Sequence, residues 1–349
     1  MSTGIAPPLP TIRLDIDREA LAANWRTLDR LSGEARAGAA VKADCYGLGV
    51  ETCVPVLHDA GARDFFVAHW SEVAPMLDLV PPEQLAVLHG VNTAEEAGYA
   101  KATGVLPVIN SIHQARLWGE TSSGPCHLMV DTGIHRLGVL PDDLAEDLIR
   151  NLDITVLMTH LSSAEEKGPT NADQLALFKA AKEQTGAREL SIANSAGIGL
   201  GGDFSFDLTR PGLALYGGTP SPELEGCIRQ VAFPRASIIQ VHHLKPGDTV
   251  GYSREFTAQA AMRVGTVSLG YADGFLRAWG KKGWLEHDGR HLPLLGKVSM
   301  DMVVVDLSHT PDATLGDWLD LPYDLPTASR TSGLSQYELL TVLGQRMRS

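Results

Sequence analysis

The stretch GAAVKADCYGLG at residues 38–49 begins as a short apolar run and turns polar at Lys42. A short apolar run followed by a helical pattern is typical of a buried β-strand that leads into a helix. The same alternation of apolar runs and helical patterns continues along the chain after this stretch. The stretch therefore predicts the first repeat of a fold built from alternating strands and helices.

Seven further apolar runs follow the first one, so the pattern predicts eight buried parallel strands separated by helices. Eight strand–helix repeats in succession predict a TIM-like (β/α)8 barrel. Pro211 lies inside the last run and cannot donate a ladder hydrogen bond, so we expect that strand to end near Thr209. The seven runs are DFFVAHW (64–70), LAVLHG (85–90), LPVINS (106–111), CHLMVD (126–131), ITVLMTHL (154–161), ELSIANS (189–195) and DLTRPGLALYG (207–217).

The rhythm changes after about residue 225, where strand patterns follow one another across turns such as KPGD (245–248) and HDGR (287–290). No long helical pattern is found in this part until SQYELLTVLGQRM (335–347). We therefore predict a barrel over residues 10–225 and a mostly β domain over 226–349. The opening strand at about 10–16 precedes the barrel and is a candidate to join the sheet of the β domain.

Composition narrows the class of protein further. The formal charge of −13 disfavours nucleic-acid binding, because such a surface repels phosphate backbones. The four cysteines lie far apart, without the paired spacing of a zinc site or a disulfide framework. The N-terminus lacks the pattern of a signal peptide, and no apolar run approaches the ~20 residues that span a bilayer. These features predict a cytoplasmic protein without membrane or nucleic-acid partners.

Polar residues follow the predicted strands at the end where barrel enzymes carry their chemistry. The chain has nine lysines, and Lys42 is the one that ends a predicted barrel strand. Partial desolvation there lowers the pKa of a lysine and favours a nucleophilic or Schiff-base role. The alternative is a lysine that extends to the barrel rim or pairs with Asp44. The strand-end residues are Lys42, His69, His89, Asn110, Asp131 with nearby Arg136, His160, Asn194–Ser195 and Arg210.

Two loops near the predicted seventh and eighth strands suit a phosphate group. NSAG (194–197) and RPGLALYGG (210–218) offer small residues, backbone N–H groups and the hydroxyl of Ser195. Glycines of this kind also occur in ordinary turns. A metal site built from His69, His89, His160 and Asp131 is disfavoured, because the first strand lacks the His-x-His pair typical of metal hydrolases on this fold.

The chain resembles the alanine racemase family through motifs that run in the family's order over nearly its whole length. The resemblance implies an isomerase that interconverts L-alanine and D-alanine on a pyridoxal 5'-phosphate aldimine, as a head-to-tail homodimer with shared active sites. It implies D-alanine supply for peptidoglycan or D-alanine breakdown. The motifs are VKADCYGLG (41–49), VDTGIHRLG (130–138), THLSSAEE (159–166), ANSAG (193–197), TRPGLALYG (209–217), SLGYADGF (268–275), GKVSMDM (296–302) and QYELL (336–340).

The resemblance assigns a role to each matching position. Lys42 would carry the cofactor and serve as the base on one face of the substrate, and Tyr271 of the partner subunit would serve the other face. Arg210 would bond the pyridine nitrogen, with His160 supporting it. Arg136 would touch the ring hydroxyl, and Met300 would enter from the partner subunit as Tyr271 does, with Asp301 close by. The cofactor-binding set is Lys42, Tyr46, His160, Asn194, Ser195, Arg210, Gly212, Leu213 and Tyr337, and the substrate-binding set is Arg136 with Met300 and Asp301.

Arg210 and Met129 carry information about the chemistry. An arginine stays protonated itself, so the ring nitrogen would remain neutral, which favours proton transfer over bond cleavage. Many family members have a carbamylated lysine where this chain has Met129, so another group must support Arg136 or leave it loosely held.

Three alternatives differ in what they require. A decarboxylase of basic amino acids shares the barrel and cofactor but would be expected to place an acidic residue where Arg210 stands. A non-catalytic, cofactor-carrying regulatory barrel would need neither the β domain nor GYADG. A racemase that prefers serine or another amino acid would differ in a few pocket residues.

Overall fold

The computed structural model describes residues 8–122 and 124–348. The chain divides into two units: one comprises Arg18–Arg229, and the other contains the described residues up to Asp17 and from Gln230 onward. It enters through strand β1 (Ile12–Ile16) and helix α1 (Arg18–Leu31). Within the described ranges, no helix has both the length and the apolar character needed to cross a membrane.

Parallel strands form the centre of the first unit. Strands β3 to β9 pair in sequential order in a parallel sheet. Each is short, as expected for strands that follow one another around a barrel. The strands are β2 (Arg36–Ala37), β3 (Ala39–Ala40), β4 (Phe65–Val67), β5 (Leu85–Val87), β6 (Leu106–Ile109), β7 (Pro125–Met129), β8 (Asp153–Met158), β9 (Glu189–Ser191) and β10 (Leu208–Thr209).

Strand β10 closes the barrel. It pairs in parallel with β2, and the backbone N–H of Gly38 donates to the carbonyl of Thr209 at 2.9 Å. On its other side, the N–H of Arg210 donates to the carbonyl of Ala193, just after β9, at 2.8 Å. Because β2 and β3 are two segments of the first strand, these bonds join the eighth strand to the first and the seventh. The predicted (β/α)8 barrel is confirmed, and β10 ends at Thr209 as expected.

Helices connect most of these strands, and polar caps explain where two of them begin. Thr93 accepts a hydrogen bond from the N–H of Glu96, and Ser111 accepts one from Gln114, so each satisfies an N–H group left free at a helix start. The helices are α2 (Lys42–Tyr46), α3 (Val50–Ala60), α4 (Ala94–Thr103), α5 (Ile112–Thr121), α6 (Asp147–Arg150), α7 (Pro169–Lys182) and α8 (Ser195–Gly199).

The segment between β4 and β5 departs from the predicted pattern. It contains short 3₁₀ turns at Trp70–Glu72, Ala74–Met76 and Pro82–Gln84 in place of a regular α-helix. Pro75 and Pro81 explain the difference, because proline lacks the N–H that an α-helix interior requires.

Apolar side chains fill the barrel. Fully burying a large apolar side chain such as Val, Leu, Met or Phe contributes about 1.5–3 kcal/mol, so this interior is a major source of stability. Met129 is part of this apolar interior and is 6% exposed. The interior cluster consists of Phe66, Ala86, Val108, Met129, Val156, Met158 and Leu208.

The second unit is built on an antiparallel sheet with the order β16-β15-β18-β11-β14-β17. Strand β1 pairs with β11, from Ile12 opposite Ala236 to Ile16 opposite Ala232, so the opening strand lies in this sheet. The strands are β11 (Ala232–Leu244), β12 (Thr249–Val250), β13 (Phe256–Thr257), β14 (Met262–Val267), β15 (Trp284–His287), β16 (Arg290–Pro293), β17 (Val303–Asp306) and β18 (Trp318–Asp320).

Two helices near the C-terminus differ from the expectation. Helix α9 (Leu325–Ser332) was not predicted, and helix α10 (Gln336–Thr341) is shorter than the predicted helical stretch. Gly344 explains the early end, because its N–H donates to the carbonyl of Asp273 and a Cβ there would lie 2.7 Å from the carbonyl oxygen of Ala272. The chain leaves the helix in order to pack against the GYADG turn.

Candidate active site

Lys42 follows the first barrel strand directly, and its side chain is partly buried in the barrel mouth. This burial lowers the pKa of the Lys42 amine, and the positive charge of Arg136 lowers it further. The carboxylate of Glu72 acts in the opposite direction. A lysine with a lowered pKa has a larger neutral fraction near pH 7 and is a better nucleophile and proton acceptor.

The backbone after Lys42 forms a left-handed helical turn. The φ angles of Ala43, Asp44, Cys45 and Tyr46 lie between +52° and +57°. Such a turn costs roughly 1–2 kcal/mol per residue, so the surrounding structure must hold it in place. The Asp44 carboxylate contributes by accepting a hydrogen bond from the N–H of Val50 at 2.7 Å.

The left-handed turn directs the Tyr46 ring into the barrel unit. Its centroid lies 5.0 Å from that of Tyr216, whose hydroxyl donates to the carbonyl of Ala40 at 3.0 Å. The Tyr46 hydroxyl reaches Gly212, where a Cβ would lie 2.2 Å from the phenol oxygen. Glycine is therefore required at this position for Tyr46 to occupy its place.

The two loops predicted to suit a phosphate are joined by Ser195. Its Oγ accepts hydrogen bonds from the N–H groups of Gly212 at 2.9 Å and Ala214 at 3.2 Å. Asn194 caps helix α8 by accepting from the N–H of Gly197 at 2.9 Å, and Leu213 begins a 3₁₀ turn. The structure thus brings Tyr46, Ser195 and Gly212 together beside the starts of helix α8 and of the Leu213 turn. The start of a helix is a place that suits an anion.

Arg210 is buried and held in a fixed orientation. Its guanidinium donates to the Ser191 hydroxyl and, at 2.5 Å, to the carbonyl of Thr159. Burial lowers the pKa of Arg210 to about 10, so the side chain remains cationic near neutral pH. No carboxylate pairs with Arg210 in the described ranges. An arginine without an acidic partner can offer N–H groups to a ligand nitrogen but does not give up a proton.

His160 lies near Arg210 and stays neutral. Burial, together with the charge of Arg210, lowers the pKa of His160 to about 3. Gln174 fixes the backbone here, because its amide nitrogen donates to the carbonyl of His160 at 3.1 Å and to the Thr132 hydroxyl at 3.0 Å. A neutral imidazole beside a buried arginine avoids the repulsion between two cations.

Arg136 is carried by the loop that follows β7 and is exposed. Asp131 shapes this loop by accepting hydrogen bonds from the N–H groups of Gly133 at 2.8 Å and His135 at 3.1 Å. Among the residues that the structure describes, no side chain pairs with the Arg136 guanidinium. Met129 packs in the apolar interior and gives Arg136 no ionic support.

In the part of the chain that the structure describes, the candidate metal ligands of the barrel mouth do not form a group of three or more side chains close enough to share a metal ion. The rings of His69 and His89 lie edge to face, with centroids 4.1 Å apart. Among the described residues, side chains close enough to share a metal ion are found at His287, Asp288 and Asp312, in the other unit.

Tyr271, Met300 and Asp301 come together in the second unit. The N–H of Tyr271 donates to the carbonyl of Ser299 at 3.0 Å, and the next N–H donates to the carbonyl of Met300 at 3.0 Å. Arg346 bridges Asp301 and Asp273, with both ion pairs at 2.8 Å. These contacts fix the GYADG turn to the loop that carries Met300, which is 53% exposed.

The ring of Tyr271 is covered on one face by a cation. The guanidinium carbon of Arg277 lies 5.3 Å from the ring centroid, within the range of a cation–π interaction. Tyr337 lies in the first turn of α10 in the same unit and is 36% exposed.

Sequence reasoning missed two residues of this region. Glu72 bonds to the backbone beside Lys42, and Gln174 orders the loops that carry Thr132 and His160. The sequence offers one weak indication for Glu72: it is an acidic residue three positions beyond the strand-end His69. Gln174 had none, because it lies inside the α7 pattern.

The site combines a partly buried lysine at the end of the first barrel strand, loops suited to an anion after the last strands, and a buried arginine where a related decarboxylase would have an acidic residue. Together with the separate antiparallel β unit, these features are those expected of the amino-acid racemase class of enzymes. Two family models match the chain: the alanine racemase N-terminal domain over residues 16–220 and the alanine racemase C-terminal domain over residues 231–349. The chain therefore belongs to the alanine racemase family.

Individual relatives agree with this assignment. The chain is 38% identical to the biosynthetic alanine racemase of Agrobacterium fabrum, over 96% of this chain and 92% of that protein. It is 36% identical to a catabolic alanine racemase of the same bacterium, over 96% and 90%. A crystal structure of the Bartonella henselae alanine racemase, with covalently bound pyridoxal phosphate, superposes with a TM-score of 0.89. The two share 34% identity over 97% of this chain and 98% of that one.

Proposed function

We propose that this protein interconverts L-alanine and D-alanine with pyridoxal 5'-phosphate as its cofactor. The observation that carries the proposal is Lys42, a lysine with a lowered pKa at the end of the first barrel strand. The names of the relatives support alanine as the substrate. The Bartonella henselae racemase, with its covalently bound pyridoxal phosphate, supports the cofactor.

The residues of the barrel mouth fit this cofactor. The Tyr46 hydroxyl, Ser195 and the backbone at Gly212–Leu213 would hold the phosphate, and the family resemblance adds Asn194 and Tyr337 to this set. The contact between Tyr46 and Gly212 supports this fit, because it places the Tyr46 hydroxyl against the loop that the Ser195 hydroxyl also contacts. When bound, the cofactor withdraws electrons from the substrate's α-carbon and makes its proton acidic. Lys42 would be the attachment point, because it directly follows the first barrel strand and its partly buried amine has a lowered pKa.

Racemisation needs a base on each face of the α-carbon, because the proton leaves one face and returns to the other. We assign Lys42 to one face and Tyr271 of the partner subunit to the other. Arg277 over the Tyr271 ring supports the second assignment, since a cation there orients the ring. Active sites shared between two subunits require a homodimer. The exposed Arg136 would touch the ring hydroxyl of the cofactor beside the bound substrate, and Met300 of the partner subunit would enter the substrate pocket with Asp301 close by.

Arg210 limits the reaction to proton transfer. It would donate an N–H to the ring nitrogen of the cofactor while keeping its own proton, with neutral His160 beside it. An acidic residue in its place would strengthen electron withdrawal and favour loss of the carboxylate. An arginine at position 210, in place of an acidic residue, thus supports racemisation over decarboxylation.

We place the enzyme in the cytoplasm, where its four free cysteines suit the reducing conditions. There it supplies D-alanine for peptidoglycan or degrades D-alanine. The test is α-proton exchange of L-alanine in heavy water, followed by NMR and chiral analysis with purified protein and added cofactor. Deuterium incorporation at the α-carbon together with formation of D-alanine supports the proposal. Exchange with L-serine but not with alanine contradicts alanine as the substrate. No exchange with any amino acid contradicts the activity.

A further inference from the structure

Glu72 makes three hydrogen bonds to backbone N–H groups at the barrel mouth. One carboxylate oxygen accepts from Ala43, the residue directly after Lys42. The other accepts from Ala68 at 2.7 Å and from His69 at 2.9 Å. Ala68 and His69 follow β4, so a single side chain joins the ends of the first and second barrel strands.

These bonds meet a need created by the left-handed turn. The first N–H groups of a helical turn lack partners within it, and here the N–H of Ala43 is one of them. The later N–H groups are satisfied inside the turn: Cys45 donates to the carbonyl of Val41 at 2.9 Å, and Gly47 to that of Ala43 at 2.8 Å. A carboxylate is a strong acceptor, so Glu72 fixes the turn at the point where it begins.

We propose that Glu72 is a positioning residue for Lys42: by binding the N–H of Ala43 and the end of β4, it fixes the direction in which the lysine leaves the backbone. The inference rests on the proposed function in that it names Lys42 as the reactive amine. A change in the turn would move Lys42 away from the attachment point, and a displacement of about 1 Å at a reacting group is sufficient to slow a reaction strongly.

The charge of Glu72 also acts on the amine. Burial, Arg136 and Arg210 all lower the pKa of Lys42, and Glu72 raises it. Its removal thus has two separable effects: the lysine titrates at lower pH, and the turn loses its anchor. Substitution of a residue with a purely structural role elsewhere on the barrel would change neither the pH at which Lys42 titrates nor the anchoring of the turn.

Glu96 offers a matched control. It also lies near a helix start at the same end of the barrel, and it accepts a hydrogen bond from the N–H of Asn92 at 2.6 Å. It makes no bond to the turn after Lys42 and does not contribute to the Lys42 pKa. Glu96→Gln therefore removes a capping carboxylate without touching Lys42.

Two readouts test the proposal on the full-length protein. The first is reductive methylation of Lys42 in the cofactor-free protein with formaldehyde and cyanoborohydride, followed by mass spectrometry as a function of pH. The second is the rate at which added pyridoxal phosphate becomes attached. We expect Glu72→Gln to lower the pH midpoint of Lys42 labelling, because a nearby negative charge is lost, and to slow attachment about tenfold. Glu96→Gln should match the wild-type protein in both the labelling midpoint and the attachment rate.

The proposal requires both changes, so a Glu72→Gln protein that lacks either one overturns it. Glu72→Asp keeps the charge, but its side chain is one methylene shorter. It is the test variant if the glutamine variant does not fold. Slow attachment with an unchanged labelling midpoint in Glu72→Asp supports the proposal, and an unchanged attachment rate overturns it. Failure of the unchanged protein to attach the cofactor at all contradicts the proposed function, while formaldehyde labelling still reports the effect of Glu72.

Discussion

The phenol oxygen of Tyr46 lies so close to Gly212 that a Cβ built on the glycine would be 2.2 Å from it. Tyr46 ends the left-handed turn after Lys42, and Gly212 begins the loop that follows β10. The contact thus links the first strand of the barrel to the last one at the proposed phosphate cradle. Ser195 holds the same glycine through its N–H, so the three residues form one unit.

Gly212→Ala should weaken cofactor binding. The added methyl group would displace the Tyr46 hydroxyl and press on the Cβ of Ala40 at 3.3 Å. We expect the affinity for pyridoxal phosphate to fall about tenfold or more, which corresponds to about 1.4 kcal/mol. Titration of the cofactor-free protein, followed by absorbance, measures the change. Gly202→Ala is the control, because a Cβ there meets no atom within 4 Å. Equal affinities in both variants would contradict the proposal that Tyr46, Ser195 and Gly212 hold the phosphate.

Lys42→Ala should abolish covalent attachment of the cofactor and α-proton exchange together. The variant keeps the cradle but lacks the amine whose pKa is lowered by burial. Absorbance in the visible range and intact mass after borohydride reduction measure attachment. Lys179→Ala, on the last turn of helix α7, is the control and should behave like the unchanged protein. Attachment through another lysine in the Lys42→Ala variant would show that Lys42 is not the attachment point.

Tyr271→Phe should affect the two substrate enantiomers unequally. The hydroxyl is the group that we assign to one face of the α-carbon, while Lys42 serves the other face. We expect α-proton removal from L-alanine to fall by about 10²-fold or more, the usual scale for a lost acid–base group, with a much smaller effect on D-alanine. Deuterium exchange of each enantiomer under single-turnover conditions measures the two steps. Equal losses would show that Tyr271 does not act on a single face.

The sequence predicts the barrel, the β domain and much of the site because strand ends mark positions of known geometry. Lys42, His160 and Arg210 each follow an apolar run, and the ends of parallel strands meet at one face of a barrel. Helix α9 was missed, although Asp324 caps it by accepting from the N–H of Thr327 at 3.0 Å. Asp followed within two positions by proline was a usable signal for its start.

The remaining features depend on contacts between distant segments, which local patterns do not encode. Ala43 to Tyr46 contain no glycine, so nothing in the sequence indicates a left-handed turn. Glu72 reaches the backbone of Ala43 across two strands, and Gln174 reaches Thr132 across 42 positions. Each of these contacts is specified by the folded barrel rather than by neighbours in the chain.

His127 should make the protein sensitive to mild acid. Its side chain lies in strand β7 inside the barrel unit, and burial lowers the pKa of this imidazole to about 4. The unfolded chain binds a proton near the ordinary value of 6.5, whereas the folded protein does not until about pH 4. The contribution of neutral His127 to the free energy of unfolding is therefore fully present above about pH 6.5. It decreases as the pH falls from about 6.5 to about 4.

Between pH 7 and pH 5 this residue should reduce the free energy of unfolding by about 2 kcal/mol. Urea unfolding of the cofactor-free protein at both pH values, at one protein concentration, measures the loss. His127→Leu should reduce the difference between the two pH values by that amount, because leucine does not titrate. His309→Gln, which changes an exposed histidine, should leave the pH dependence as it was. A leucine variant with the same pH dependence as the unchanged protein would show that the buried imidazole is not the group responsible.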